Sequence, residues 1–203
     1  MAVWADFYPR VMPYVLGCPS PTVDAALIDA AREFCTKAKT WVVERTLTIP
    51  AVQNLHDFPL LTGEELVKVA RYTVNGKDHD KIMDVADLPT DWQINTPTTE
   101  ALYQKSATEF LIFPAPALTD VVVFTLYLQP ALDGTGVDDA TFNEHGKAIA
   151  QGARAELQRM PRQPWTDLNQ ASIDGLQFVQ ATHYAANKDF LRMKEHRVKK
   201  AGL

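Results

Sequence analysis

The run Leu66-Val67-Lys68-Val69-Ala70-Arg71-Tyr72-Thr73-Val74-Asn75-Gly76 decides the fold class. It is an apolar-rich strand sequence that stops at Asn-Gly, the pair that most readily takes the positive φ values of a two-residue hairpin turn. Upstream, residues 45–49 (Arg-Thr-Leu-Thr-Ile) alternate polar and apolar, as a half-buried strand does. Downstream, residues 81–85, 92–94, 101–104, 109–113 and 120–129 supply further strand candidates. Pro50, Pro59, Pro89, Pro97, Pro114, Pro116 and Pro130 fall between these runs or at their ends. Short strands so punctuated predict an antiparallel sandwich or small barrel.

On both sides of this block the period changes from two to that of a helix. Val23, Ala26, Leu27, Ala30, Ala31, Phe34, Ala38 and Trp41 recur at spacings of three and four, predicting an amphipathic helix from Pro21 to about Val42. Ser20 is its expected N-cap and Pro21 its first residue. Residues 3–16 are apolar but interrupted by Pro9 and Pro13, which predicts a short helix broken near Gly17. The helical period returns after Asp138 or Asp139 as cap, with Phe142, Ile149, Ala150, Ala153, Leu157 and Met160 on one face and Pro161 as the stop. A final helix is expected from about Asn169 to Lys199, with Ile173, Leu176, Val179, Ala186, Phe190 and Met193 as its apolar residues.

The order predicts an α+β chain: an α-helical bundle carrying an inserted antiparallel β domain, with an extended C-terminal helix or tail. The expected parts are a helical first part (1–45), the β insertion (46–133), a helical second part (134–187) and a basic C-terminal segment (188–203). That last segment opposes the rest in charge. Lys188, Arg192, Lys194, Arg197, Lys199 and Lys200 outnumber Asp189 and Glu195, giving +4 on a chain of −5, so residues 1–187 carry −9. A helix that continues past its own core is expected to pack on another molecule.

Composition is that of an ordinary globular protein, 46% hydrophobic and 22% charged, with no apolar run long enough to span a bilayer. The first residues, Met-Ala-Val-Trp-Ala-Asp, carry no basic region or apolar core of a signal peptide, so secretion is not expected. Cys18 and Cys35 make no disulfide framework and are expected as buried thiols formed in a reducing cytosol. The acidic balance argues against a nucleic-acid-binding body.

Residues that could carry chemistry are few. Asp78, His79, Asp80 and Asp84 are the one dense cluster of metal-ligand types, but they follow a hairpin turn and alternate between faces, so a solvated tip is expected. His145 and His183 sit on helices without a His-Glu-x-x-His pattern and are expected as packed polar residues. Cys35 has no motif linking it to a histidine, and Glu64-Glu65 and Asp138-Asp139 fall at turns or helix starts. Trp165 and Trp41 are expected to close the two ends of the helical bundle. No catalytic, cofactor or metal site is expected.

Three segments together resemble the head-to-tail adaptor (connector) proteins of tailed bacteriophages, those of short-tailed phages in particular. They are Pro13-Tyr-Val-Leu-Gly-Cys-Pro-Ser-Pro leading to Leu27-Ile-Asp-Ala-Ala-Arg-Glu-Phe-Cys-Thr-Lys and Trp41; the Phe113-Pro-Ala-Pro-Ala turn closing at Leu128-Gln-Pro; and Ile149-Ala-Gln-Gly-Ala-Arg-Ala-Glu-Leu followed by Met160-Pro-Arg-Gln-Pro-Trp-Thr-Asp. The chain departs from the Pro-Gly-Lys-Pro-Trp loop common in such proteins, having Arg162 and Gln163 in place of Gly-Lys. The resemblance implies a ring, usually of twelve subunits, beneath the portal protein of the virion. It also implies a C-terminal segment reaching onto the portal, a tail or nozzle protein on the other side, and a channel that passes viral DNA without reading it. It places the protein in the virion neck, and in the host cytoplasm during assembly, with no membrane partner. An acidic wall suits such a channel, because like charge keeps DNA from sticking, and a basic helix end suits docking on an acidic neighbour.

Two other readings are open: a phage-associated cell-wall glycan hydrolase, which needs two positioned carboxylates, and a β domain that binds carbohydrate or protein, with Trp92 and Tyr103 as exposed platforms.

Overall fold

The structure, a computed structural model, describes residues 1–79, 82–84, 86, 101–113 and 119–201, and from 189 onward the backbone alone. It is a mixed α+β chain that divides into two compact units: residues 1–41 with 129–203, and residues 42–128. The second unit is thus inserted in the sequence of the first.

In the first unit the helices are α1 (Tyr8–Val11), α2 (Ser20–Ala38), α3 (Asp139–Arg159) and α4 (Leu168–Ala201). Val23, Ala26, Leu27, Ala30, Ala31, Phe34 and Cys35 of α2 are buried, as the spacing requires. The ends of α2 differ from expectation. Pro19 occupies the cap position, without a side-chain capping bond, and Ser20 is already helical. Lys39, at φ 55° and ψ 40°, turns the chain left-handed and ends the helix before Trp41, which is buried beyond the helix rather than on its stripe. Asp138 caps α3: its carboxylate accepts from the backbone N–H of Ala140 (3.0 Å) and Thr141 (3.2 Å), satisfying two of the first-turn donors. Residues 3–16 are not one short helix but two 3-10 turns flanking α1, after a strand β1 (Ala2–Val3).

That N-terminal segment is tied down by pairs far apart in sequence. β1 runs antiparallel to a short strand at Gly136–Val137, with Ala2 opposite Val137. Only glycine fits at 136, since a Cβ there would lie 1.9 Å from the Ala2 carbonyl oxygen. Trp4, buried, donates its indole N–H to the Gly134 carbonyl at 2.6 Å, and Phe7 meets Phe142 edge to face at 4.8 Å.

α2, α3 and α4 pack pairwise on one another. The approach is close. A Cβ on Gly152 would lie 2.8 Å from the Phe178 ring and 3.1 Å from the Ala30 methyl, so these three helices meet where α3 has no side chain. The buried stripe of α4 is accordingly made of small and polar residues around one ring: Ala171, Asp174, Phe178, Thr182 and Ala185. Ile173, Leu176 and Val179, expected among its packing residues, face outward at 49%, 65% and 45% exposure.

In the second unit the strands are β2 (Val42–Ile49), β3 (Leu55–Asp57), β4 (Glu64–Val74), β5 (Lys77–His79), β6 (Met83–Asp84), β7 (Ala101–Gln104), β8 (Glu109–Phe113) and β9 (Asp120–Pro130). The short strand at Gly136–Val137 is β10. Two four-stranded sheets result, ordered β2-β9-β4-β5 and β3-β8-β7-β6. Neither closes into a barrel among the described residues. β2 and β9 pair antiparallel from Val42 opposite Tyr127 to Ile49 opposite Asp120, while β6 and β7 pair parallel. The Asn75-Gly76 turn forms as the sequence demands, both residues at positive φ (47° and 80°), with Val74 opposite Lys77. Asn75 also reaches β9, accepting from Val121 N–H (3.0 Å) and donating to Asp120 (2.7 Å).

The two sheets meet through an aromatic core. Phe110 of β8 lies 5.1 Å from Phe124 of β9, and Phe58 touches both, at 4.9 and 5.6 Å. Tyr72 of β4 accepts the Leu102 N–H of β7 at 3.3 Å, a second tie between the layers. The strand candidate at 92–94 lies outside the described residues, as do the ends of 81–85.

Candidate interaction site

Burial pushes the Cys35 thiol up to about 12, which favours the protonated form at neutral pH. Cys18 is likewise buried and raised, and the two thiols are free. His145 lies half-buried against Phe34, with ring centroids 5.0 Å apart. Burial lowers its pKa more than the neighbouring Glu144 raises it. His183, expected to be packed, is exposed on α4.

At the hairpin tip, His79 stacks flat on Tyr72, the two rings 4.8 Å apart and 3° from parallel. Asp84 accepts the Ala86 N–H at 2.9 Å, which closes a local turn. Asp78 has interactions of its own, and Asp80 lies outside the described residues. Among the described residues no three His, Cys, Asp or Glu side chains gather as a metal site. Tyr103 is buried between strands and offers no platform; Trp92 lies outside the described residues. A groove in the β unit, about 410 Å³, runs past His56, Asp57 and Glu109. His56 is bound to the Gln53 carbonyl (2.9 Å) and Glu109 to Lys105 (3.1 Å). Trp165 is only half-buried, with its indole N–H enclosed and unpartnered by protein.

The helical unit carries the larger features. Arg154 of α3 and Asp174 of α4 form a buried ion pair at 2.6 Å, and the Arg154 guanidinium also lies 4.0 Å over the Tyr14 ring. Sequence gives no sign of this pairing, because the partners belong to separate helices. On the outside, between α3 and α4, a groove of about 690 Å³ is lined by His145, Ala148, Gln151, Gln180, Ala181 and Tyr184 among others. Gln151 donates to Gln177 across it. One end is closed by Lys188, whose ammonium meets Glu144 at 3.3 Å.

Lys188 is therefore the one residue of the expected docking set with a described side chain, and it is exposed and tied back to α3. Arg192, Lys194, Arg197, Lys199 and Lys200 follow on the backbone of α4, and their side chains lie outside the described residues. The structure adds what periodicity hid: the twenty residues 168–187 hold a single formal charge, Asp174, and that charge faces inward. α4 thus shows solvent an uncharged face over residues 168–187, ahead of the basic sequence of residues 188–200.

No family model matches the chain, and no curated protein matches its sequence. No helix among the described residues is long and apolar enough to cross a membrane.

The environment of His145 has a pH consequence. Its folded pKa is depressed, so the unfolded chain takes up the proton first as pH falls. The stability its neutral ring contributes is complete above the ordinary histidine value and is lost as pH drops through it. Melting temperature measured from about pH 7 to pH 5 should fall less steeply for His145→Gln than for the wild type. Parallel curves would remove His145 from the account.

Proposed function

We propose that this chain is a structural virion protein: the head-to-tail adaptor of a short-tailed bacteriophage, assembled as a ring on the portal and leading to the tail. In that reading the fold is a helical bundle with a sandwich-like β insertion, and the end of α4 is an extended docking element. The observation that carries it is the charge division along α4. After Ala185, its last described buried residue, the chain gathers a net +4 on a body of −9. A cationic helix end gives an acidic partner a docking point, and an acidic body suits a channel wall along which DNA must slide. The resemblance of the three segments quoted above points the same way, and it is the resemblance that supplies the ring, its twelve subunits and the portal.

The hydrolase reading asks for one desolvated carboxyl beside an ionised one. The carboxylates brought together at the β-unit groove, Asp57 and Glu109, are respectively exposed and held by a lysine, which favours surface charge over an acid–base pair at that groove; the carboxyl that burial does push up, Glu156 beside Asp29 and Glu33, stands on the exposed side of α3. The test is electron microscopy of the purified chain mixed with portal protein. Rings stacked on portal rings support the adaptor; clearing of peptidoglycan by the chain alone would replace it with the hydrolase.

A further inference from the structure

We infer that the β unit binds an extended peptide segment of a partner protein. The segment adds as a strand to the outer edge of β2 and sets an apolar side chain and a Lys or Arg in the groove beside it. This edge lies in the second compact unit and the end of α4 in the first, so the peptide site and the adaptor reading do not depend on each other.

The first observation is the edge itself. β2 ends its sheet: among the described residues only β9 pairs with it. Val121, opposite Thr48, shows which backbone groups are left over. Its carbonyl accepts the Asn75 N–H at 2.9 Å and its own N–H donates to the Asn75 side chain at 3.0 Å, so both point away from β2. Opposed residues of an antiparallel pair either exchange hydrogen bonds or both face away. Thr48 therefore faces outward, and by alternation so do Thr46, Glu44 and Val42, while Val43, Arg45 and Leu47 bond to β9. The outward N–H and C=O groups recur about every 6.8 Å, a row that another extended backbone matches. Proteins ordinarily blunt such an edge with proline, lysine or a bulge. β2 has no proline or lysine, and its register runs unbroken from Val42 to Ile49. Its two charges are already engaged, Glu44 by Arg71 at 3.3 Å and Arg45 by Glu64 at 2.9 Å.

The second is the groove of about 410 Å³, lined by Leu47 of β2, by Pro50 just after it, and by Leu55 and His56 of β3. β3 is the edge of the other sheet, so the groove runs along the flank where both sheets end. Leu47 stands opposite the buried Val122, on the inner side of its sheet. A strand added to β2 continues that side, and its inward side chains enter the groove.

The third is charge, which selects the segment. Asp57 and Glu109 stand directly opposite each other on β3 and β8, and both line the groove. Like charges so placed repel. Lys105 pairs with Glu109 at 3.1 Å, which leaves this group of three at −1. His56, the other titratable group lining the groove, is turned to the Gln53 carbonyl at 2.9 Å. A Lys or Arg on the incoming strand completes the neutralisation, whereas an acidic segment adds to the repulsion.

The probe is a library of displayed random nine-residue peptides, selected on the purified chain. Enriched sequences should alternate apolar with polar residues and carry a Lys or Arg. On Asp57→Lys, at an exposed position, that basic preference should vanish. The best peptide is then synthesised and N-methylated one position at a time. Methyl groups at every second position, facing β2, should weaken binding about tenfold or more, since each removes a backbone bond and crowds the edge. Those at the intervening positions should leave it within about twofold. In the free chain the amide hydrogens of Glu44, Thr46 and Thr48 should exchange quickly, and the peptide should protect them; Val43, Arg45 and Leu47 should be slow throughout. Thr46→Pro removes an N–H that the β2–β9 ladder does not use, so the variant should fold and lose binding. If that variant fails to fold, the N-methyl series decides. No enriched sequence, an N-methyl pattern without a period of two, a bound peptide that leaves those amides unprotected, or a folded Thr46→Pro that binds normally would each overturn the inference. Portal is absent from every arm, so none of these results touches the adaptor reading.

Discussion

An Asp174→Ala protein should lose about 3–5 kcal/mol of stability, the range for stripping one partner from a buried ion pair. Asp174 is enclosed on α4 and accepts from the Arg154 guanidinium at 2.6 Å. The rest of the guanidinium is thinly served: it lies over Tyr14, its other terminal nitrogen reaches the Arg10 carbonyl at 3.4 Å, and its Nε has no protein partner. Without the carboxylate a full positive charge remains in a site closed by three segments. Typical domains have only about 5–15 kcal/mol in hand, so the loss is a large share of the total. Removing both charges together, Arg154→Met with Asp174→Leu, should restore most of it, because the desolvation penalty of the pair disappears with the pair. Urea titration followed by helical circular dichroism measures both, through the midpoint at unchanged slope. A single substitution costing under about 1 kcal/mol would mean that Arg154 escapes to solvent.

The second large effect is on docking. Changing Lys194, Arg197, Lys199 and Lys200 to Glu turns the C-terminal segment from +4 to −4 without touching any residue described as buried. If the end of α4 docks by charge, portal binding should be lost at about 150 mM salt, and raising salt should weaken the wild type in the same direction. Deleting residues 188–203 should have the same consequence while α2, α3 and residues 168–187 of α4 keep their fold. Binding that survives both changes would place the docking surface elsewhere on the chain.

Much of the fold was legible because it depends on local rules. Asn75-Gly76 takes positive φ at both positions whatever surrounds it, so its hairpin could be read directly. Asp138 caps α3 through bonds to residues two and three ahead. α2 buries a stripe of aliphatic residues at helical spacing, the case in which periodicity and burial agree. Where tertiary contacts decide, local reading fails. Lys39 ends α2 by a left-handed turn that its side chain does not announce. Trp4 is held by a carbonyl 130 residues away. α4 is the instructive case: Gly152 and Ala30 bring the helices so close that small and polar residues fill its buried stripe, and Ile173, Leu176 and Val179, which pattern assigns to the core, are turned outward. The same inversion explains the candidate site. The basic end of the chain can be counted from sequence, whereas an exposed apolar face at helical spacing reads as core until the packing is seen.

The adaptor reading makes one direct demand: in the presence of portal, this chain must close into a ring. Purified chain and portal, mixed and imaged by electron microscopy with two-dimensional averaging, should give a second ring stacked coaxially on the portal ring. Portal rings that remain bare at saturating chain, with the chain folded and soluble beside them, would contradict the account.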